Sequence, residues 1–245
     1  KVRRICDELN IKVQPHSVKF KNPVVYGGNQ DAQTRQSFKE LATQKPYIIQ
    51  NFLQQHNLHE DELNKCYNDK IGAKIYGGTS LGPHCKAGGE LNNVVMLGNS
   101  NKGHDGFLGN AVIGEWCNLG AATDASNLKN DYGNTRAWNY TQQKFISTEL
   151  QFCGLIMGDH SKTAIQTPLN TATVVGVGCS IFSIGFPRTF IPSFSRGGAQ
   201  GMSESNLNKI LETAAVVMDR RGKEMDAKDK AVLTHLFALT KQFRR

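Results

Sequence analysis

The sequence predicts a mainly β fold, a left-handed parallel β-helix of hexapeptide repeats with a helical N-terminal segment and C-terminal helices, and three observations predict it. Aliphatic or small residues recur at every sixth position: Ile113 and Leu119; Met157, Thr163, Leu169, Val175 and Ile181; and, less regularly, Ile75 and Leu81, Leu91 and Leu97. A period of six belongs neither to a helix nor to a simple strand; it marks short parallel strands that turn tight corners and stack as a solenoid. Several of these residues are followed by glycine, as at Gly114, Gly120, Gly158 and Gly176, where a corner needs a small residue. From Asp31 to about Asn68 and from Gly201 onward the apolar spacing is helical. A glycine-rich sandwich would alternate in twos, which does not account for the unbroken series from Met157 to Ile181.

The N-terminal segment, residues 1–70, begins with extended pieces in VKFKNPVVYGGN, broken at Pro23 and Gly27–Gly28. From Asp31 to about Asn68 it reads as polar helices: Phe38 and Leu41 share a face, Pro46 opens a second helix, and Ile49, Phe52 and Leu53 continue the stripe. No role attaches to this segment. In residues 71–200 the repeated aliphatic side chain points into a narrow prism that no single turn can bury, so the rungs must stack. Such coils are expected to wind left-handed, against the usual crossover preference. Residues 129–151, with NDYGNTRAWNYTQQKF at their centre, are too long and polar for a corner and read as a projecting loop. In residues 201–245, Ser203 or Ser205 is placed to cap a helix whose face is Leu207, Ile210, Leu211, Ala214 and Met218. After the connection RRGKEMDAKD, Val232, Leu236, Leu239 and Phe243 form a second face. Both helices are expected to pack on the coil and cover its open end, because an exposed β end invites pairing.

With 245 residues, 39% of them hydrophobic, the chain can bury a sizeable core. No stretch is apolar enough to span a membrane, and the start KVRRICDELNIKV lacks the apolar run of a signal peptide, so a cytoplasmic location is expected. The six cysteines are scattered without a C-x-x-C pair and are expected to be reduced and mostly buried. The formal charge of +8 sits largely in KVRR, RRGKEMDAKDK and KQFRR, which read as solvated faces and tails. Nucleic acid is not an expected partner; an anionic small ligand such as a phosphate remains compatible with the charge.

The run GGELNNVVMLGNSNKGHDGFLGNAVIGEWCNLGAATDASNLKN, followed by GLIMGDHSKTAIQTPLNTATVVGVGCSIF, resembles the C-terminal left-handed β-helix of bifunctional sugar-1-phosphate nucleotidyltransferases. The resemblance covers roughly residues 71–190. It implies that the coil transfers an acetyl group from acetyl-CoA to the amine of an amino-sugar phosphate, within a homotrimer. By the same resemblance His104, in NKGHDGFLGN, takes the place of the catalytic base, a role suited to imidazole. Asn118 and the backbone at Ala121 match cofactor-side positions, while Phe107, Asn127 and Arg136 match substrate-side ones. Phe107 stands where the family motif has tyrosine, Asn93 near where the bacterial enzymes have a lysine, and Leu128 where they have tyrosine.

Other readings lead elsewhere. Without the resemblance, His104 is a solvated turn residue, and His84 and His160, in GPHCKAG and MGDHSK, are structural corner residues. Some hexapeptide trimers hold zinc through histidines between subunits, but the H-x(4)-H pair of that family is missing here and no metal site is expected. The β-helix of a nucleotidyltransferase can also serve only assembly or regulation. Nucleotide transfer itself is not assignable to this chain, because YGGNQDAQTR resembles a glycine-rich phosphate loop only superficially and about forty residues follow it before the coil.

Overall fold

A computed structural model describes residues 73–182 and 184–244; the expected N-terminal helices lie outside the described residues. The described part is mainly β, as the period of six requires. Each turn of the coil offers three short strands, starting with β1 (Lys74–Ile75), β2 (Ser80–Leu81) and β3 (Lys86–Ala87). The following turns run through β4 (Glu90–Met96), β5 (Asn101–Lys102), β6 (Phe107–Ile113) and β7 (Asp124–Ala125). After the β8 (Arg136–Asn139) and β9 (Lys144–Ser147) hairpin the coil resumes. It continues with β10 (Ile156–Met157), β11 (Lys162–Thr163), β12 (Pro168–Leu169), β13 (Val174–Val175), β14 (Ser180–Ile181) and β15 (Phe190–Ile191). It ends at β16 (Ser195–Gly198), against which β17 (Gly201–Glu204) pairs antiparallel.

Parallel register aligns the inward residues into columns, one per face. The first face stacks Ile75, Leu91, Leu108, Ala125 and Leu169. The second stacks Leu81, Met96, Ile113, Met157, Val175 and Ile191. The third carries Ala87, Lys102, Leu119, Thr163, Ile181 and Gly197. These columns form one continuous core in which Leu91, Leu108, Ile113 and Ile191 are wholly buried, each contributing about 1.5–3 kcal/mol. Gly158 and Gly176 stack at successive corners, and a Cβ on Gly158 would lie 2.9 Å from the Gly176 carbonyl carbon, which explains the glycine after the inward residue.

The period slips at one corner. Met96, not Leu97, points inward: Met96 is 1% exposed and Leu97 44%. The corner between the first and second faces is one residue short of six in this turn and the next, closed by Asn93 and Asn110 in left-handed backbone at φ 55° and 47°. At the corner between the second and third faces, left-handed backbone recurs at His84, Asn99, Trp116, His160, Gly178 and Phe194. The last residue of this corner, Phe194, sets where the helices dock.

Helix α1 (Leu207–Asp219) is capped by Asn206, whose side chain accepts from the Lys209 N–H at 3.2 Å, and not by Ser203 or Ser205. The reason is that Ser203 still belongs to β17, while the Ser205 N–H is tied to the Phe194 carbonyl of the coil. The expected face packs as anticipated: Ala214 and Met218 are buried, with Leu207, Ile210 and Leu211, against Trp116, Val177 and Phe194. Helix α2 (Ala227–Leu239) starts from an Asp226–Asp229 capping box. Its stripe differs from the expected one. Val232 and Leu239 are 58% and 57% exposed, and Leu233, Leu236 and Phe237 turn inward, because Phe237 meets the corner residue Phe194 edge to face at 5.2 Å. Arg244 closes the end, with its Nε 2.7 Å from Glu204 and its guanidinium 4.3 Å above the Phe237 ring. The helices therefore lie along a flank of the coil, and β17 covers the final strand of the third face.

Residues 129–151 form the β8–β9 hairpin and its flanks and fold back on the coil. Trp138 stacks on Phe190 at 4.2 Å and meets Phe243 edge-on at 6.1 Å, covering Ala172 and Val174 of the coil. Cys85, Cys117 and Cys179 are buried free thiols and Cys153 is half-buried; burial pushes Cys117 to about 12 and Cys179 to about 11, so neither is a nucleophile.

Candidate functional site

His104 occupies the corner that links the third face to the first. The preceding turn crosses that corner through Gly88 and Gly89 with two fewer residues, and a Cβ on Gly88 would sit 2.7 Å from the Gly103 carbonyl carbon. The His104–Asp105 pair consequently overhangs the coil, and His104 is exposed. The turn is fastened from three sides. Lys102, at an inward position and 0% exposed, runs beneath it and its Nζ donates to the carbonyls of His104 and Asp105, both at 2.6 Å. Burial draws the Lys102 pKa down, against the pull of Asp105 and Asp124. In the following turn the Ala122 N–H donates to Asp105 Oδ1 at 3.2 Å, and Asp124 Oδ1 accepts from the Phe107 N–H at 2.6 Å.

The structure brings Asn118 and Ala121 onto the rung that follows His104. Asn118 bridges to Asn101 on the third face and its Oδ1 accepts from Asn101 Nδ2 at 3.3 Å. Ala121 lies in the same corner column as His104; its carbonyl accepts from the Gln166 N–H at 2.7 Å, while its own N–H donates to no other described residue. Phe107 and Asn127 meet on the outside of the first face, their side chains both lying over Gly109, where a Cβ would strike each of them. Asn127 Nδ2 is committed to Asn110 Oδ1 at 2.6 Å. Arg136 is not brought to this group within one chain. It sits on the hairpin, donates to the Phe145 carbonyl at 3.1 Å, and lines a cleft with Lys129 and Asn170.

Lys102 was missed by sequence reasoning, although a signal existed: a lysine stands where the stacking period calls for an aliphatic side chain. His84 and His160 belong to the opposite corner of the third face. His160 stacks on Trp116 at 6.3 Å, and burial takes it down to about 4, helped by Lys162. Among the described residues no three His, Cys, Asp or Glu side chains gather as metal ligands, and no helix is long and apolar enough to cross a membrane.

The stacked three-sided rungs and the overhanging histidine corner define the class: a hexapeptide-repeat β-solenoid with a C-terminal helical pair. No protein-family model matches the chain. A stretch of 92 residues is 32% identical to part of the bifunctional protein GlmU of Methanocaldococcus jannaschii, covering 38% of this chain and 22% of that relative. Likeness and rungs agree on a hexapeptide-repeat β-helix domain. The match spans about a fifth of the relative's length.

Proposed function

We propose that the coil transfers an acetyl group from acetyl-CoA to the amine of an amino-sugar phosphate, with His104 as general base. The observation that carries this reading is the alignment of His104 with the Ala121 N–H, which donates to no other described residue, on successive rungs of one corner held by Lys102, Asp105 and Asp124. In the reaction the sugar amine attacks the thioester carbonyl carbon, forming the C–N bond while His104 takes the amine proton. The Ala121 N–H donates to the oxyanion that forms. Collapse breaks the C–S bond, and the CoA sulfur leaves as a thiolate that accepts the proton held by the imidazolium. Asn118 lies on the donor side, and Phe107 and Asn127 form the wall on the acceptor side. The similarity to GlmU over this stretch supports the class of reaction. A homotrimer completes the site by bringing a neighbour's surface, and with it a cation such as Arg136, toward the sugar phosphate.

Release of free CoA, measured with acetyl-CoA and glucosamine-1-phosphate or a panel of amino-sugar phosphates, tests the proposal. Substitution of His104→Ala is expected to lower turnover by roughly 10²- to 10⁴-fold. Its melting temperature should stay that of the parent, since the residue is exposed. Parent and variant of equal activity would remove His104 from the mechanism; no turnover with any acceptor would leave the coil an assembly element.

A further inference from the structure

A groove of about 910 Å³ runs between the third face of the coil and the turn joining α1 to α2. Lys86 and Lys162 line it from the coil, Arg220, Arg221 and Lys223 line it from the turn, and among the described residues no Asp or Glu does. Among the described residues none of these five cations forms an ion pair with a carboxylate. Their partners are neutral. Arg221 donates to the His84 carbonyl at 2.9 Å and Asn101 Oδ1 at 2.8 Å, Lys162 to the His160 carbonyl at 3.0 Å, and Lys223 lies 6.0 Å above the Trp116 ring. Five uncompensated charges around one concavity repel each other and concentrate anions. A second observation comes from Asn99, 6% exposed and lining the same groove, whose amide oxygen has no partner among the described residues. A buried acceptor beside a cationic floor calls for a ligand that carries a hydrogen-bond donor as well as negative charge.

We propose that this groove binds a diphosphate ester bearing an N–H or O–H donor next to its phosphates. Two or more phosphate charges match the cluster, the arginine forks of the turn pair with phosphate oxygens, and the donor satisfies Asn99. The volume suits a nucleotide-sized molecule. Asn118 lines the groove one rung from His104, so, resting on the acyl-transfer reading, the ligand is the nucleotide half of the acyl-CoA donor. A free nucleoside-diphosphate sugar carries the same chemistry and is the other source.

Calorimetric titration of the intact chain with CoA, pantetheine and UDP-N-acetylglucosamine decides between them. The Lys86→Gln/Lys223→Gln double variant serves as the probe of the groove, because Arg221 anchors the turn and is left in place; circular dichroism checks its fold, and Arg220→Gln is a second, single variant. A phosphate-bearing probe is expected to bind the parent and to bind each variant at least tenfold more weakly, with pantetheine unaffected. Binding of CoA identifies the donor; binding of the sugar nucleotide without CoA keeps the groove and removes the acyl-CoA assignment. Equal affinities in parent and variants, or no binding of either phosphate probe, overturn the proposal. His104→Ala should retain the parent affinities, so loss of the catalytic reading and loss of the groove are separate results.

Discussion

At the residue scale the most consequential side chain is Lys102. An ammonium in the interior of an apolar prism costs free energy unless it is well bonded, and here it is spent on two carbonyls of the turn that carries His104. Substitution of Lys102→Met keeps the apolar stem and removes the two donors. The coil should still fold, while kcat/KM for the proposed acetyl transfer falls by about 10- to 100-fold, the size expected if His104 is the base and drifts by an ångström. A pH–rate profile gives the separating readout: a changed profile with an unchanged melting temperature means positioning, whereas a parallel fall in activity and stability means that Lys102 only holds the core. His160 makes a second residue-scale prediction. Its folded value of about 4 lies below the ordinary 6.5, so between those values the unfolded chain binds more protons than the folded one. Stability from this residue is complete above pH 6.5 and is lost as the pH falls toward 4, by at most about 3 kcal/mol. Chemical denaturation across that range should show the loss, and His160→Phe should flatten it; an equal slope in the variant would assign the effect elsewhere.

At the element scale the hairpin of β8 and β9 joins the molecule through aromatic stacking more than through backbone ladders. Removing Asn130–Gln143 leaves the strand pairs from β6 to β10 and onward intact, since those pairs run between coil residues. It uncovers Phe190 and the Ala172–Val174 patch, so a folded coil with a lowered midpoint is the expected thermal unfolding result. Trp138→Ala should reproduce most of that loss, about 3 kcal/mol for a large aromatic leaving its packing. Complete unfolding of the deletion variant would mean that the hairpin nucleates the coil. The same element shows where sequence reading stopped: its length and polarity revealed that it leaves the repeat, but nothing in Trp138 alone revealed that Phe190, about fifty residues later, and Phe243 would be its partners.

At the scale of the whole molecule, one coil presents His104 and Ala121 on one corner and Asn118 on the adjoining third face, and leaves Arg136 apart from them, which is the arrangement expected if a site is completed between copies. Coils with flat faces pack around a threefold axis as closed assemblies. Light scattering of the pure protein should therefore give three times the chain mass; a monomer at micromolar concentration would count against the shared site.

The repeat was legible from the residues because its cause is local: an inward aliphatic side chain and a small corner residue are required at each turn, whatever packs outside. That is why the columns of Ile113, Met157, Val175 and Ile181 could be read in one dimension, as could the α1 face from Leu207 to Met218. The His104 motif and its neighbours on the next rung were singled out by resemblance to a known family, since the repeat alone marks them only as corner and face residues. What only the tertiary structure decided depends on contacts between distant segments. The short corner at Asn93 and Asn110 moved the inward residue from Leu97 to Met96, the docking of Phe237 on Phe194 rotated the α2 stripe, and the turn at Arg220–Lys223 was drawn over the third face to enclose a cationic groove. A periodic sequence specifies how each rung closes on itself; which outer surfaces meet is set by shape and charge complementarity summed over the folded chain.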